Sequence, residues 1–216
     1  MKKIAVLISG SGSNLEAIIN ACNSNNINGN IVCVISNNPN AYGIKRAEKH
    51  NLKIKVIKHE DYLNRDSFDE AIDKCLAELN IDLVVLAGFM RILGKNITEK
   101  YNGKIINLHP SLLPLYPGLD THKNVIMNKD KVHGISIHYV SAELDAGPLI
   151  AQSMINVKED EKLDELIERI HKIEHMLLPE IIDHLCKENI TLKNDKVNYQ
   201  KINNIANGIL VKNYEI

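Results

Sequence analysis

Apolar and polar positions along the first half of the chain fall into blocks that switch between strand and helix periods. Lys3–Ile8 is a compact apolar run that stops at Ser9-Gly10, and Asn14–Cys22 then carries Leu15, Ile18 and Ile19 at helical spacing. Ile31–Ile35 is continuous and β-branched, the pattern of a strand buried on both faces. Gly43–His50 predicts a helix and Lys53–Ile57 a short strand. Asp66–Leu79 predicts a helix with Phe68, Ile72, Cys75, Leu76 and Leu79 on one stripe. Asp82–Ala87 and Lys104–Leu108 read as two more strands. Five strands separated by helices, with no hairpin signal, predict an α/β fold whose N-terminal half is a Rossmann-like, doubly wound, mostly parallel sheet. Right-handed crossovers then place ligands at the carboxyl ends of the strands.

Beyond Pro110 the pattern changes. Ser111–Leu119 holds Pro114, Pro117 and Gly118 and reads as a loop, and His122–Asn128 as a short helix. Val132–Val140 and Pro148–Val157 predict strands around a turn at Ala146-Gly147-Pro148, a hairpin that extends the sheet. Glu161–Lys187 predicts one long helix with a kink at Pro179, which lacks an amide donor. Residues 190–216 look like weak strands with no evident place. Without repeats or a low-complexity linker, the chain reads as one domain over 1–216. Within it, 1–110 forms an αβ half with a phosphate seat, 111–190 carries the catalytic loops, and 191–216 is a tail.

Composition narrows the function. The 26 Lys+Arg and 27 Asp+Glu leave a net charge of -1, which argues against nucleic acid or an anionic membrane as partner. The five-residue apolar core Ile4–Ile8 is too short for a signal peptide, and no run approaches a membrane span. Cys22, Cys33, Cys75 and Cys186 include no Cys-x-x-Cys pair, so a disulfide framework or cysteine zinc site is not expected, and a reducing cytoplasmic setting is.

Ser9-Gly10-Ser11-Gly12-Ser13-Asn14 joins the first strand to the first helix. Such a junction offers unpaired amides and the positive end of a helix dipole to a phosphate. It is not a dinucleotide fingerprint, because Leu15 stands where the third glycine belongs and Asn37-Asn38 where an acid belongs. It lacks the Gly-Lys-Ser/Thr of a Walker loop and the serine of a nucleophile elbow. A tight turn without a ligand is the plain alternative.

Asn107 and His109 share one face of the fifth strand and project at its carboxyl end. Such polar groups on an apolar strand need partners or substrate. Gly134, Ser136 and His138 share a face of a later strand, and the turn Glu143–Pro148 presents Asp145. A carboxylate near His109 favours the imidazolium and raises the histidine pKa. A cationic histidine beside a carboxamide makes an oxyanion hole for acyl transfer, with Asp145 as proton acceptor. His171-Lys172-Ile173-Glu174-His175 also matches the H-x-x-E-H zinc pattern, but no third ligand is evident, so no metal is expected.

Several long motifs together resemble the phosphoribosylglycinamide formyltransferases. They are Ser9–Asn14, Val85–Leu93, Ile106–Pro114, Tyr116-Pro117-Gly118 and Glu143–Pro148, in register from Lys3 to about Pro179, with a poor match over 190–216. The resemblance implies formyl transfer from 10-formyltetrahydrofolate, as co-substrate, to the amine of phosphoribosylglycinamide in purine synthesis. It implies that Gly12, Ser13 and Asn14 hold the phosphate and that Glu174 lies near the acceptor. It implies that Arg65, Met90, Arg91, Ile92, Leu93 and the turn Val140–Asp145 serve the folate. Asn107, His109 and Asp145 match the catalytic trio. Asp120 departs from the pattern, where histidine or a neutral residue is expected. The resemblance leaves a monomer or homodimer open.

Three other readings compete. A methionyl-tRNA formyltransferase would need a further tRNA-binding domain, and a formyltetrahydrofolate deformylase a regulatory domain before the first strand. A non-catalytic phosphate- or nucleotide-binding module would bind without transfer. A formyltransferase acting on another amine keeps the same chemistry.

Overall fold

A computed structural model describes all 216 residues, Met1–Ile216. The first half builds as its pattern predicts: β1 (Lys2–Ile8), α1 (Ser13–Asn23), β2 (Gly29–Ser36), α2 (Tyr42–Lys49), β3 (Ile54–Val56), α3 (Arg65–Leu79), β4 (Leu83–Leu86) and β5 (Ile105–His109). A short helix, α4 (Lys95–Lys100), lies between β4 and β5, where the sequence showed none. With six residues and Ile97 as its only buried large apolar side chain, α4 carries no periodic signal. The second half contributes α5 (Thr121–Met127), the hairpin β6 (Val132–Tyr139) and β7 (Leu149–Asn156), then the long α6 (Leu163–Cys186). Helix α6 runs through Pro179 as one element.

The tail has places after all. β8 (Ile190–Lys193) and β9 (Lys196–Tyr199) form a separate hairpin, while β10 (Ile205–Ala206) and β11 (Ile209–Val211) join the main sheet. That sheet has nine strands in the order β10-β11-β7-β6-β5-β4-β1-β2-β3. β1 pairs in parallel with both β2 and β4, and β4 with β5, whereas β5–β6 and β6–β7 are antiparallel. The chain therefore reverses its direction of travel across the sheet between β1 and β4. Loops leaving two such strands diverge and open a crevice at their carboxyl ends.

Helices cover both faces. On one, Leu166, Ile170, Ile173, Leu177, Leu178, Ile181 and Ile182 of α6 pack with Leu15 and Ile18 of α1 over β1, β4 and β6. Each such fully buried aliphatic side chain contributes about 1.5–3 kcal/mol. On the other, Phe68, Ile72 and Leu76 of α3 cover Ala5, Leu7 and Leu86. No helix is long and apolar enough to cross a membrane.

Candidate active site

The crevice at the β1/β4 reversal is a cleft of about 930 Å³, within the range of small-molecule sites. One wall is the loop after β1, another the segment Leu86–Leu93 after β4. Its floor is the end of β5, with His138, Val140 and Asp145 beside it, and α6 closes the side through Ile167, His171 and Glu174.

Gly12 caps α1 with a positive φ of 70°. A Cβ there would stand 2.6 Å from the Gly43 Cα, so the position excludes side chains as well as favouring glycine. α2 braces the loop from behind: the Gly43 N–H donates to the Gly10 carbonyl at 3.0 Å, and Arg46 Nε to the Ser11 carbonyl at 3.0 Å. The first helical backbone bond runs from Glu16 N–H to the Gly12 carbonyl, leaving the amides of Gly12, Ser13 and Asn14 without backbone acceptors. Across from them, Asn14 Nδ2 donates to Glu174 Oε2 at 2.9 Å. Glu174 is 4% exposed, and burial pushes its carboxyl up to about 7 despite that amide. Asn14 Oδ1 is buried without a partner.

At the other end Asp145 is the hub, with backbone φ of 50° in the left-handed region. Its Oδ2 accepts the Gly118 N–H at 2.8 Å and lies 3.4 Å from His109 Nδ1; its Oδ1 lies 3.4 Å from Asn107 Nδ2 and 3.7 Å from His138 Nε2. Burial pushes the carboxyl up, but His138, the Gly118 amide and His109 outweigh it and hold Asp145 below its ordinary value. His109 Nε2 donates to the Tyr116 carbonyl at 2.8 Å, which leaves Nδ1 as the nitrogen that faces Asp145. His138 Nδ1 donates to the Tyr139 carbonyl at 2.8 Å, so its Nε2 is the nitrogen turned to Asp145 and, at 3.1 Å, to Asn107 Nδ2. The two 3.4 Å separations are longer than settled hydrogen bonds. They leave the imidazole, carboxamide and carboxylate convergent but open to a reacting group.

Of the expected site residues, Gly12, Ser13, Asn14, Glu174, Met90, Arg91, Ile92, Leu93, Asn107, His109, Val140 and Asp145 line this cleft. Arg65 does not: it begins α3 behind the loop, with its Cδ beside Gly94. Asp120 is the exposed, left-handed residue that caps α5. His171 and His175 stack on each other with ring centroids 6.2 Å apart, while Glu174 turns to Asn14. No group of three His, Cys, Asp or Glu is arranged to hold a metal.

Sequence reasoning assigned no role of their own to three residues. Ser9 ties the two loops together: its N–H donates to the Gly88 carbonyl at 3.0 Å and its Oγ accepts the Met90 N–H at 2.8 Å. His138 sits opposite Asn107 in the β5–β6 register, visible only once the strands are paired. His122 lines the cleft and bonds His133 at 2.9 Å; burial pushes both imidazoles down to about 4, keeping them neutral.

The same architecture occurs in known proteins. A phosphoribosylglycinamide formyltransferase of Haemophilus influenzae is 40% identical over 195 residues, 90% of this chain and 92% of its own length. The trifunctional purine biosynthetic protein adenosine-3 of Gallus gallus is 42% identical over 177 residues; the match takes in 82% of this chain but 18% of that longer protein. A phosphoribosylglycinamide formyltransferase structure from Coxiella burnetii superposes with a TM-score of 0.91 at 38% identity, covering 97% of this chain and 98% of that one. The family model for formyl transferase matches residues 2–182, which span both ends of the cleft. The chain belongs to the formyl transferase family.

Proposed function

We propose that this chain transfers the formyl group of 10-formyltetrahydrofolate to the amine of 5-phosphoribosylglycinamide. The observation that carries this reading is the convergence of Asn107, His109 and Asp145 in a cleft whose far end bears the free amides of Gly12, Ser13 and Asn14. A phosphate monoester seated on those amides is held by the helix dipole, with Glu174 and Asn14 beside its sugar. The segment Met90–Leu93 and the turn Val140–Asp145 serve the pterin ring. The donor supplies an electrophilic formyl carbon; the chain's own groups do the rest.

Asn107 Nδ2 and the His109 imidazolium, whose Nδ1 is turned to Asp145, supply the positive field beside the formyl oxygen, where negative charge develops as the amine adds. The His109 ring is held by its Nε2–H on Tyr116, so protonation at Nδ1 adds the donor without turning the ring. Asp145 is the counter-charge for that imidazolium and, being ionised, receives the proton the amine sheds. The proton returns to the folate nitrogen as the carbon–nitrogen bond to the donor breaks, so nothing is consumed beyond the two substrates.

Purified protein mixed with both substrates should show the folate absorbance change of deformylation together with formylated product. Binding of either substrate without transfer would leave the non-catalytic reading standing. Transfer to other amines but not this one would fix a different acceptor.

A further inference from the structure

The segment proposed above to receive the pterin is suspended between two polar attachments. One is Ser9 Oγ on the Met90 amide. The other lies where the segment ends: the Gly94 N–H donates to Asp69 Oδ2 at 2.6 Å. Asp69 is on α3, only 5% exposed, and its second oxygen, Oδ1, is buried with no protein partner. Gly94 is fitted to that carboxylate, because a Cβ there would meet Asp69 Oδ2 at 2.9 Å and Arg65 Cδ at 3.4 Å. The Gly94 carbonyl in turn accepts the Thr98 hydroxyl at 3.0 Å, so the residue is fixed on both sides.

A carboxylate buried with half its acceptor capacity unused contributes little to stability; a well-packed apolar residue of similar volume would do as well or better. What Asp69 supplies that an apolar residue cannot is a rigid acceptor at the base of an exposed loop. Between Met90 and Gly94 the backbone amides of Arg91, Ile92 and Leu93 have no backbone acceptors, and Met90 and Ile92 are exposed at the cleft. Their edge is usable for recognition only if its position is set from outside. Arg91 lines the cleft, whereas Arg65 lies outside its lining, with its Cδ beside Gly94.

We propose that Asp69 is a positioning residue for the donor end of the cleft, acting through Gly94 on Met90–Leu93. This rests on the reading that Met90–Leu93 receives the folate. Steady-state kinetics with 10-formyltetrahydrofolate and phosphoribosylglycinamide test it in Asp69→Ala, Asp69→Asn and Asp69→Glu. Expected for Asp69→Ala is a rise in the folate KM of about tenfold or more, with kcat at saturating folate and the acceptor KM each within about threefold of the unaltered protein. Asp69→Asn keeps an acceptor for Gly94 and should restore the folate KM to within about threefold. Asp69→Glu keeps the charge but moves the oxygen outward by one methylene, so it should raise the folate KM like alanine. Should alanine not fold, the asparagine–glutamate contrast decides. A folate KM unchanged in the folded alanine or glutamate variant overturns the proposal. So does an equal loss in kcat and both KM values that follows thermal stability, which marks a merely structural role. Absence of turnover in the unaltered protein would instead refute the formyl-transfer reading.

Discussion

At the Gly12 end of the cleft, recognition is built from main chain. Three amides are free of backbone acceptors, Gly43 and Arg46 brace the loop, and the polar pair Asn14–Glu174 is fixed by burial. At the Met90 end, the wall is a more open apolar segment, with Met90, Ile92 and Leu144 exposed, tied by hydrogen bonds where it begins and ends and by the buried Leu93. Under the proposed function, the difference follows from the two ligands. A phosphate offers charge and needs a donor cradle that loses nothing on binding. A flat ring offers area and backbone-like edges, so its wall can stay open until covered. Between them, Asp145 collects Asn107, His109 and the loop amide of Gly118.

Four experiments break or sharpen this contrast. His109→Ala removes the group shared by both ends and should cut kcat about 10³-fold, or about 4 kcal/mol, with binding of both substrates retained in calorimetry. A kcat within tenfold of the unaltered protein rejects the assignment. Gly12→Ala forces a side chain into left-handed backbone against Gly43. It should cost about 3 kcal/mol in urea unfolding and weaken phosphate binding, and an unchanged midpoint would mean that the cradle is not rigid.

Glu174 tests the buried pair. Folded, its carboxyl sits at about 7; unfolded, it returns to 4.5. The folded chain therefore binds the extra proton between those values. Its contribution is present below about 4.5 and is lost as pH rises to about 7, with no further change above. The span is on the order of 3 kcal/mol. Unfolding of Glu174→Gln should lack this slope, and parallel pH profiles in the two proteins would place the titration elsewhere. Smallest is Ile92→Ser in the open wall, where about 1 kcal/mol of folate affinity should go with no change in thermal midpoint. A fall in midpoint would show that the wall is structural before any ligand arrives.

Much of this was legible in the sequence, for reasons that differ by residue. The five parallel strands announce themselves because burial on both faces makes Ile4–Ile8 and Ile31–Ile35 continuous apolar runs. Asn107 and His109 were readable because polar groups break the pattern of such a strand. His138 was not, because its role depends on the register that sets it opposite Asn107 across an antiparallel pair. Asp69 looks like any acid on a solvated helix face; it is buried by the Gly94–Thr98 turn, whose own helix is too short to leave a periodic signal. Arg65, expected to serve the folate, begins α3 behind the loop and outside the cleft lining, a placement that depends on how α3 packs and that the sequence does not show. The strands of the tail are two to four residues long, and β11 finds its partner some sixty positions away in β7.

That last pairing has a bearing on handling and engineering. β11 lies along β7 with Leu210 beside Ala151 and Val211 beside Gln152, so residues 205–211 cover what would otherwise be the raw margin of the sheet at β7. Trimming them exposes an eight-residue strand, Leu149–Asn156, whose unpaired backbone groups invite edge-to-edge association between molecules. A chain shortened before Ile205 would keep its catalytic groups in place and come out of solution because of its border.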